Sequence, residues 1–154
     1  MKIPVTLKIN GETYDLVTAP YRSLADVLRE EAHLTGTKKG CDVGDCGACT
    51  VLLNGKPVNS CLVLAATVQD SEITTIEGLA QNGKLHPLQE AFLKEGAVQC
   101  GFCIPGVLMS LKALLDNNPI PTLEEIKTSM AGNLCRCTGY SKIFKAVESV
   151  TRVE

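Results

Sequence analysis

Gly40-Cys41-Asp42-Val43-Gly44-Asp45-Cys46-Gly47-Ala48-Cys49-Thr50 decides how the rest of the chain is read. Its cysteines follow the pattern C-x4-C-x2-C, and Cys61 supplies a more distant fourth. That is the plant-type spacing of a 2Fe–2S site. Four thiolates must converge on one small volume, so the backbone has to wrap closely. Gly40, Gly44 and Gly47 permit the unusual dihedrals this requires. A loop of this kind also aims backbone N–H groups at the anionic sulfurs, which stabilises them and helps set the reduction potential. Structural zinc also takes four cysteines, but it favours paired C-x2-C knuckles over such a loop.

Upstream, Ile3, Val5, Leu7 and Ile9 alternate with Pro4, Thr6 and Lys8, the period of a strand with one buried face. Asn10-Gly11 predicts a tight hairpin and Glu12 to Val17 the returning strand. Ser23 is placed to cap a helix with Leu24, Val27 and Leu28 on one face. Downstream, Thr50 to Leu53 and Lys56 to Val58 flank a second turn, Asn54-Gly55, which brings Cys61 back towards the loop. Ile73 to Ile76 reads as a last strand. Residues 1–76 thus read as a small mixed sheet with one helix, suited to a β-grasp arrangement.

After Gly78 the period becomes helical. Pro87 opens one helix, with Leu88, Ala91 and Phe92 on its apolar face, and Gly96 ends it. Pro105 opens a second, with Leu108, Leu111, Leu114 and Leu115 inward, stopped at Asn117-Asn118-Pro119. Thr122 and Glu125 form a capping box for a third, and Ser141 caps a fourth. Residues 77–154 therefore read as a four-helix bundle domain, and the whole chain as α+β. Each half has a small core, which bound metal would help to stabilise.

The second cysteine set lies among these helices: Cys100-Gly101-Phe102-Cys103 before the Pro105 helix, and Cys135-Arg136-Cys137 between the third and fourth. Two helix-end loops can meet around one metal centre, and helix N-termini favour thiolates. Paired motifs suit zinc as well as a cluster; the tight C-x-C leans towards a cluster.

Bulk numbers narrow the classes. The chain has 154 residues, 45% hydrophobic and 21% charged, a globular composition. A net charge of −2 gives no reason to expect nucleic acid or an anionic membrane as partner. No stretch approaches the roughly 20 apolar residues of a membrane-spanning helix. The first ten residues lack the basic and apolar regions of a signal peptide. A cytoplasmic location is expected, where eight cysteines stay reduced and free for metal rather than forming disulfides.

Three motifs together carry a family resemblance: Gly40 to Thr50; Gln99-Cys100-Gly101-Phe102-Cys103-Ile104-Pro105-Gly106; and Gly132-Asn133-Leu134-Cys135-Arg136-Cys137-Thr138-Gly139-Tyr140. Over nearly its whole length the chain resembles the small iron–sulfur subunit of the molybdenum hydroxylases, the xanthine dehydrogenase and aldehyde oxidoreductase family. The resemblance implies a plant-type ferredoxin-like domain followed by a helical domain, each with one 2Fe–2S cluster. It implies that Cys100, Cys103, Cys135 and Cys137 hold the cluster nearer a molybdenum–pterin cofactor in a large partner subunit. It assigns Cys41, Cys46, Cys49 and Cys61 to the cluster nearer an FAD-binding subunit. Electrons leaving molybdenum would pass singly through both. Gln99 and Cys137 match residues that touch the pterin; a Gln amide both donates and accepts hydrogen bonds. A loop group satisfied by backbone is the plainer reading of Gln99.

The chain stops soon after the fourth helix, so members with separate subunits are the expected match, and no complete reaction is expected of this polypeptide alone. A free-standing two-cluster carrier and a zinc-stabilised interaction module are the competing readings. His33 and His86, the only histidines, read as surface or cap residues. Arg136 reads as a solvated loop residue or a charge beside the cluster. Phe102 and Tyr140 read as shields against water.

Overall fold

The computed structural model describes residues 1–151. Five strands form one mixed sheet in the order β2-β1-β5-β3-β4. They are β1 (Ile3–Ile9), β2 (Glu12–Thr18), β3 (Thr50–Leu53), β4 (Lys56–Asn59) and β5 (Glu72–Thr74). β1 and β5 are parallel and the other pairs antiparallel. The alternation in β1 works as expected: Val5, Leu7 and Ile9 are buried while Thr6 and Lys8 are exposed. The Asn-Gly pairs of the two strand hairpins adopt positive φ at each residue, 53° and 82° for Asn10-Gly11 and 51° and 77° for Asn54-Gly55. That is the twist a two-residue hairpin needs.

The last strand is shorter than its sequence suggests. It ends at Thr74, and Ile76 begins a single 3-10 turn. The Asn10 side chain takes over at Thr75, accepting from its N–H at 2.9 Å and donating to its hydroxyl at 3.0 Å. A side chain has replaced the ladder bond there. Ser23 caps α1 (Leu24–Asp26), its hydroxyl accepting from Asp26 N at 3.2 Å. The helix then widens into a π turn, Val27–Glu31. Leu24, Val27 and Leu28 pack with Val5, Leu7, Ile9, Val51 and Ile73 as the sheet's core.

Four helices follow: α2 (Pro87–Lys94), α3 (Ile104–Asn117), α4 (Leu123–Ser129) and α5 (Ser141–Thr151). His86 caps α2, its Nδ1 accepting from Leu88 N at 3.2 Å. The Thr122–Glu125 capping box forms as predicted. Ser141 is the first residue of α5 rather than the cap before it. Leu88, Phe92, Met109, Leu111, Ile126, Ile143 and Val147 fill the helical core, whereas Leu114 and Leu115 are only partly buried. Leu52 of β3 joins that core, because α3 packs against β3. Burying each such aliphatic side chain contributes about 1.5–3 kcal/mol. Among the described residues no helix is long and apolar enough to cross a membrane.

Candidate functional site

The first cysteine loop is pinned from both sides. Lys39 pairs with Asp26 of α1 and with Asp42 at 3.1 Å. Arg29 donates to the carbonyls of Thr35 at 2.9 Å and Thr37 at 2.6 Å. Within the loop, the amides of Val43, Asp45 and Cys46 donate to Cys41 Sγ at 3.5, 3.3 and 3.4 Å. The amides of Val43 and Cys46 are the main reason the Cys41 thiol is pulled down to about 7. Positive φ at Asp42 (58°) and Gly44 (84°) turns the backbone inward. Gly40 is needed for space instead, since a Cβ there would lie 2.9 Å from Cys46 Sγ. Cys61 follows β4 in a 3-10 turn, Ser60–Leu62, which Ser60 Oγ ties to Cys49 O at 2.6 Å. Burial, then the neighbouring Cys49 thiol, pushes Cys61 up to about 11.

The second set meets at two helix ends. Cys103 occupies the N-cap position of α3, and Cys135 and Cys137 lie between α4 and α5. Cys137 Sγ is 3.5 Å from Cys100 Sγ. The Thr138 hydroxyl and amide donate to Cys135 Sγ at 3.1 and 3.4 Å. Cys103 is pushed up to about 12 by burial and then by Cys135. Burial opposes ionisation of Cys135 too, but the Thr138 donors and the Cys137 amide outweigh it and bring it down to about 7. Tyr140, at φ 66°, closes the loop: its hydroxyl accepts from Cys135 N at 2.7 Å and donates to Asn133 O at 3.2 Å. Gln99 and Cys137 come together at the surface, Gln99 Nε2 donating to Cys137 O at 3.0 Å. The plainer reading of Gln99 is therefore realised, though it engages only the amide nitrogen. Phe102 is 46% exposed and covers the site only in part.

A buried seam joins the two loops. Asn133 donates through Nδ2 to Gly47 O at 3.0 Å and Thr50 Oγ1 at 3.3 Å, and accepts at Oδ1 from Ser110 Oγ at 2.7 Å. Leu134 N donates to Cys46 O at 2.9 Å. A Cβ on Gly47 would sit 2.2 Å from Gly132 O, and one on Gly106 would sit 2.2 Å from Gly47 O. Asn133, Gly106 and Thr138 lie inside the quoted motifs, yet no local pattern singles them out.

The donor set fits iron–sulfur clusters. All eight cysteines are free thiols. Cysteines neighbour one another in pairs: Cys49 acts on Cys61, Cys135 on Cys103 and Cys100 on Cys137. Among the described residues no three His, Cys, Asp or Glu side chains converge as a site for one metal ion. Backbone and hydroxyl donors aimed at Cys41 and Cys135 suit bound thiolates.

Comparison with known proteins agrees with this geometry. Residues 7–80 match the family described as 2Fe-2S iron-sulfur cluster binding domain, and residues 75–148 the family described as 2Fe-2S binding domain. The chain is 55% identical to the small FeS subunit of nicotinate dehydrogenase from Eubacterium barkeri, over 95% of this chain and 93% of that protein. It is 48% identical to the iron-sulfur-binding subunit of xanthine dehydrogenase from Escherichia coli O157:H7, over 94% and 92%. Among solved structures, quinoline 2-oxidoreductase from Pseudomonas putida 86 superposes with a TM-score of 0.94 at 44% identity, covering 97% of this chain and 93% of that one. Aldehyde oxidoreductase from Desulfovibrio desulfuricans ATCC 27774 gives 0.92 at 44% identity, covering 96% of this chain and 17% of that one. Fold and site define a 2Fe–2S protein with a ferredoxin-like domain. The chain belongs to the small iron–sulfur subunits of the molybdenum hydroxylases, the xanthine dehydrogenase and aldehyde oxidoreductase family.

Proposed function

We propose that this chain is the electron-transfer subunit of a molybdenum–pterin hydroxylase or dehydrogenase and carries two 2Fe–2S clusters. Cys41, Cys46, Cys49 and Cys61 would hold one, and Cys100, Cys103, Cys135 and Cys137 the other. Such clusters supply one-electron chemistry that no side chain provides. The observation that carries this reading is the pairing of thiols within each set, Cys49 with Cys61 in the first and Cys103 with Cys135 and Cys100 with Cys137 in the second, on loops joined through Cys46 O and Leu134 N. The residues divide the work between holding and facing outward. Cys49 and Cys103 are buried anchors, while Cys100, Cys137 and Gln99 stand exposed at one edge. That edge is where Gln99 and Cys137 would meet the pterin of a large subunit. The first set would face an FAD-binding subunit.

Residues 1–76 and 77–154 are the proposed cluster-binding domains, the second a four-helix bundle, and the assembly is placed in the cytoplasm. Relatives named for nicotinate, xanthine and aldehydes share this chain's sequence at 47–55% identity. Substrate choice is therefore assigned to the large subunit. The test is iron, zinc, molybdenum and acid-labile sulfide counted per chain on anaerobically purified protein. About four iron and four sulfide support two clusters, and molybdenum in the same sample supports the catalytic partner. About two zinc without sulfide would overturn the redox reading.

A further inference from the structure

We propose that Thr138 is a positioning residue that raises the reduction potential of the second cluster through a hydroxyl bond to the sulfur of Cys135. The inference rests on the reading of Cys135 as a cluster ligand. The two cysteine sets differ in their donors. Cys41 receives the backbone amides of Val43, Asp45 and Cys46 and the neighbouring Cys46 thiol, but no hydroxyl. Cys135 receives the Thr138 amide at 3.4 Å and, in addition, the Thr138 hydroxyl at 3.1 Å. Among the described residues no other side-chain hydroxyl donates to a cysteine sulfur.

The hydroxyl is oriented for this. Tyr140 N donates to Thr138 Oγ1 at 3.2 Å, which occupies a lone pair and turns the O–H towards the sulfur. Tyr140 is held in place in turn. Its φ is 66°, its hydroxyl bridges Cys135 N and Asn133 O, and its ring stacks on Phe144 at 6.3 Å. A side chain kept in an unfavourable backbone region by three separate contacts indicates a fixed geometry rather than a chance one. Thr138 is also partly buried, so water competes only weakly for its proton.

The chemistry sets the sign. Reduction adds one electron to the cluster and negative charge to its sulfurs. A hydrogen-bond donor to a ligand sulfur stabilises the reduced form more than the oxidised form, which raises the potential. Partners that bond to metal ligands tune a metal centre in this way. No proton moves and no further reactant is needed.

The test is a redox titration of the purified complex, followed by electron paramagnetic resonance of each reduced cluster. Thr138→Val removes the hydroxyl at nearly constant shape. The reduction equilibrium of the second cluster should shift about tenfold towards the oxidised form, about 59 mV lower for one electron. The first cluster is the internal control and should not move. Thr138→Ser keeps the hydroxyl and should restore most of the shift. Thr138→Ala gives the same reading if valine disturbs the packing. An unmoved second potential with both clusters present overturns the proposal, as does an equal shift of both clusters. It is also overturned if neither hydroxyl-free variant retains the second cluster while serine does, because the hydroxyl would then serve assembly. Failure of the underlying reading looks different: the unmutated protein would itself contain about two iron per chain instead of about four.

Discussion

Replacing Gly47 with alanine tests whether the seam, and not each loop alone, holds the sites. Gly47 has φ 68°, and an added Cβ would stand 2.2 Å from Gly132 O and 2.7 Å from Asn133 Nδ2, where ordinary contact begins at 3.4 Å. The left-handed backbone alone costs an alanine about 1–2 kcal/mol. The Gly132–Asn133 backbone must also retreat by about 1 Å, and overpacking of that kind costs about 1–3 kcal/mol. Retreat lengthens the Asn133 bond to Gly47 O, with a further loss of about 1 kcal/mol. The expected total is about 3–6 kcal/mol, a large share of the roughly 5–15 kcal/mol that holds a typical domain. Gly55→Ala is the matched control. Its φ is 77°, yet nothing lies within 4 Å of its added Cβ, so only the backbone cost applies. The assay is iron and sulfide per chain together with the urea midpoint. Gly47→Ala should lose iron from both sets, because the displaced segment leads directly to Cys135, while Gly55→Ala should keep its full complement. Equal iron content and equal midpoints in the two variants would refute the reasoning.

Cys49→Ala should abolish the first cluster, leaving about two iron per chain, and block turnover with a flavin-side acceptor; full activity with both clusters would remove Cys49 from the ligand set. Asn133→Ala deletes three buried hydrogen bonds and should destabilise the chain by about 2–4 kcal/mol, read from the urea midpoint; a change under about 0.5 kcal/mol would mean the seam does not depend on it. In folded protein stripped of metal, the lowered thiols of Cys41 and Cys135 ionise before those of Cys61 and Cys103 as pH rises, with the change centred near 7. Alkylation followed by mass spectrometry should therefore label these two at neutral pH, and Cys61 and Cys103 only towards 11 and 12. Equal labelling of Cys41, Cys135, Cys61 and Cys103 at neutral pH would contradict the geometry.

What the sequence revealed was local. The Asn-Gly turns, the alternation in β1 and the Thr122–Glu125 box each depend on residues within a few positions of one another, and each appears in the structure where it was expected. The cysteine spacings were equally legible, because a cluster loop writes its ligands close together. The misses come from longer range. β5 stops at Thr74 because Asn10, at the end of the neighbouring strand β1 but 65 residues away in sequence, bonds Thr75. Gly106 was read as part of a motif, but it lies inside α3, outside the left-handed region, and is required only because Gly47 O lies against it. A glycine that serves a turn leaves a local signature. One that makes room for a distant backbone leaves none, and Asn133, whose partners are at positions 47, 50 and 110, is invisible for the same reason.

That seam changes what the two-part layout means. The sheet and the helices have separate cores, but Leu52 of β3 belongs to the helical one, and a backbone hydrogen bond joins the two cysteine loops themselves. Cys46 O is bonded to the residue next to Cys135, so the structure fixes one cysteine loop directly against the other. A hinge between the halves would have to break the bonds of an Asn133 that is only 4% exposed, at about 1–3 kcal/mol for each buried group left unpaired. Motion that altered the spacing of the two sites is thus costly, while the exposed edge at Gln99, Cys100 and Cys137 stays free to meet a partner. The electron-transfer role proposed for this chain requires that combination of a rigid interior and an accessible edge.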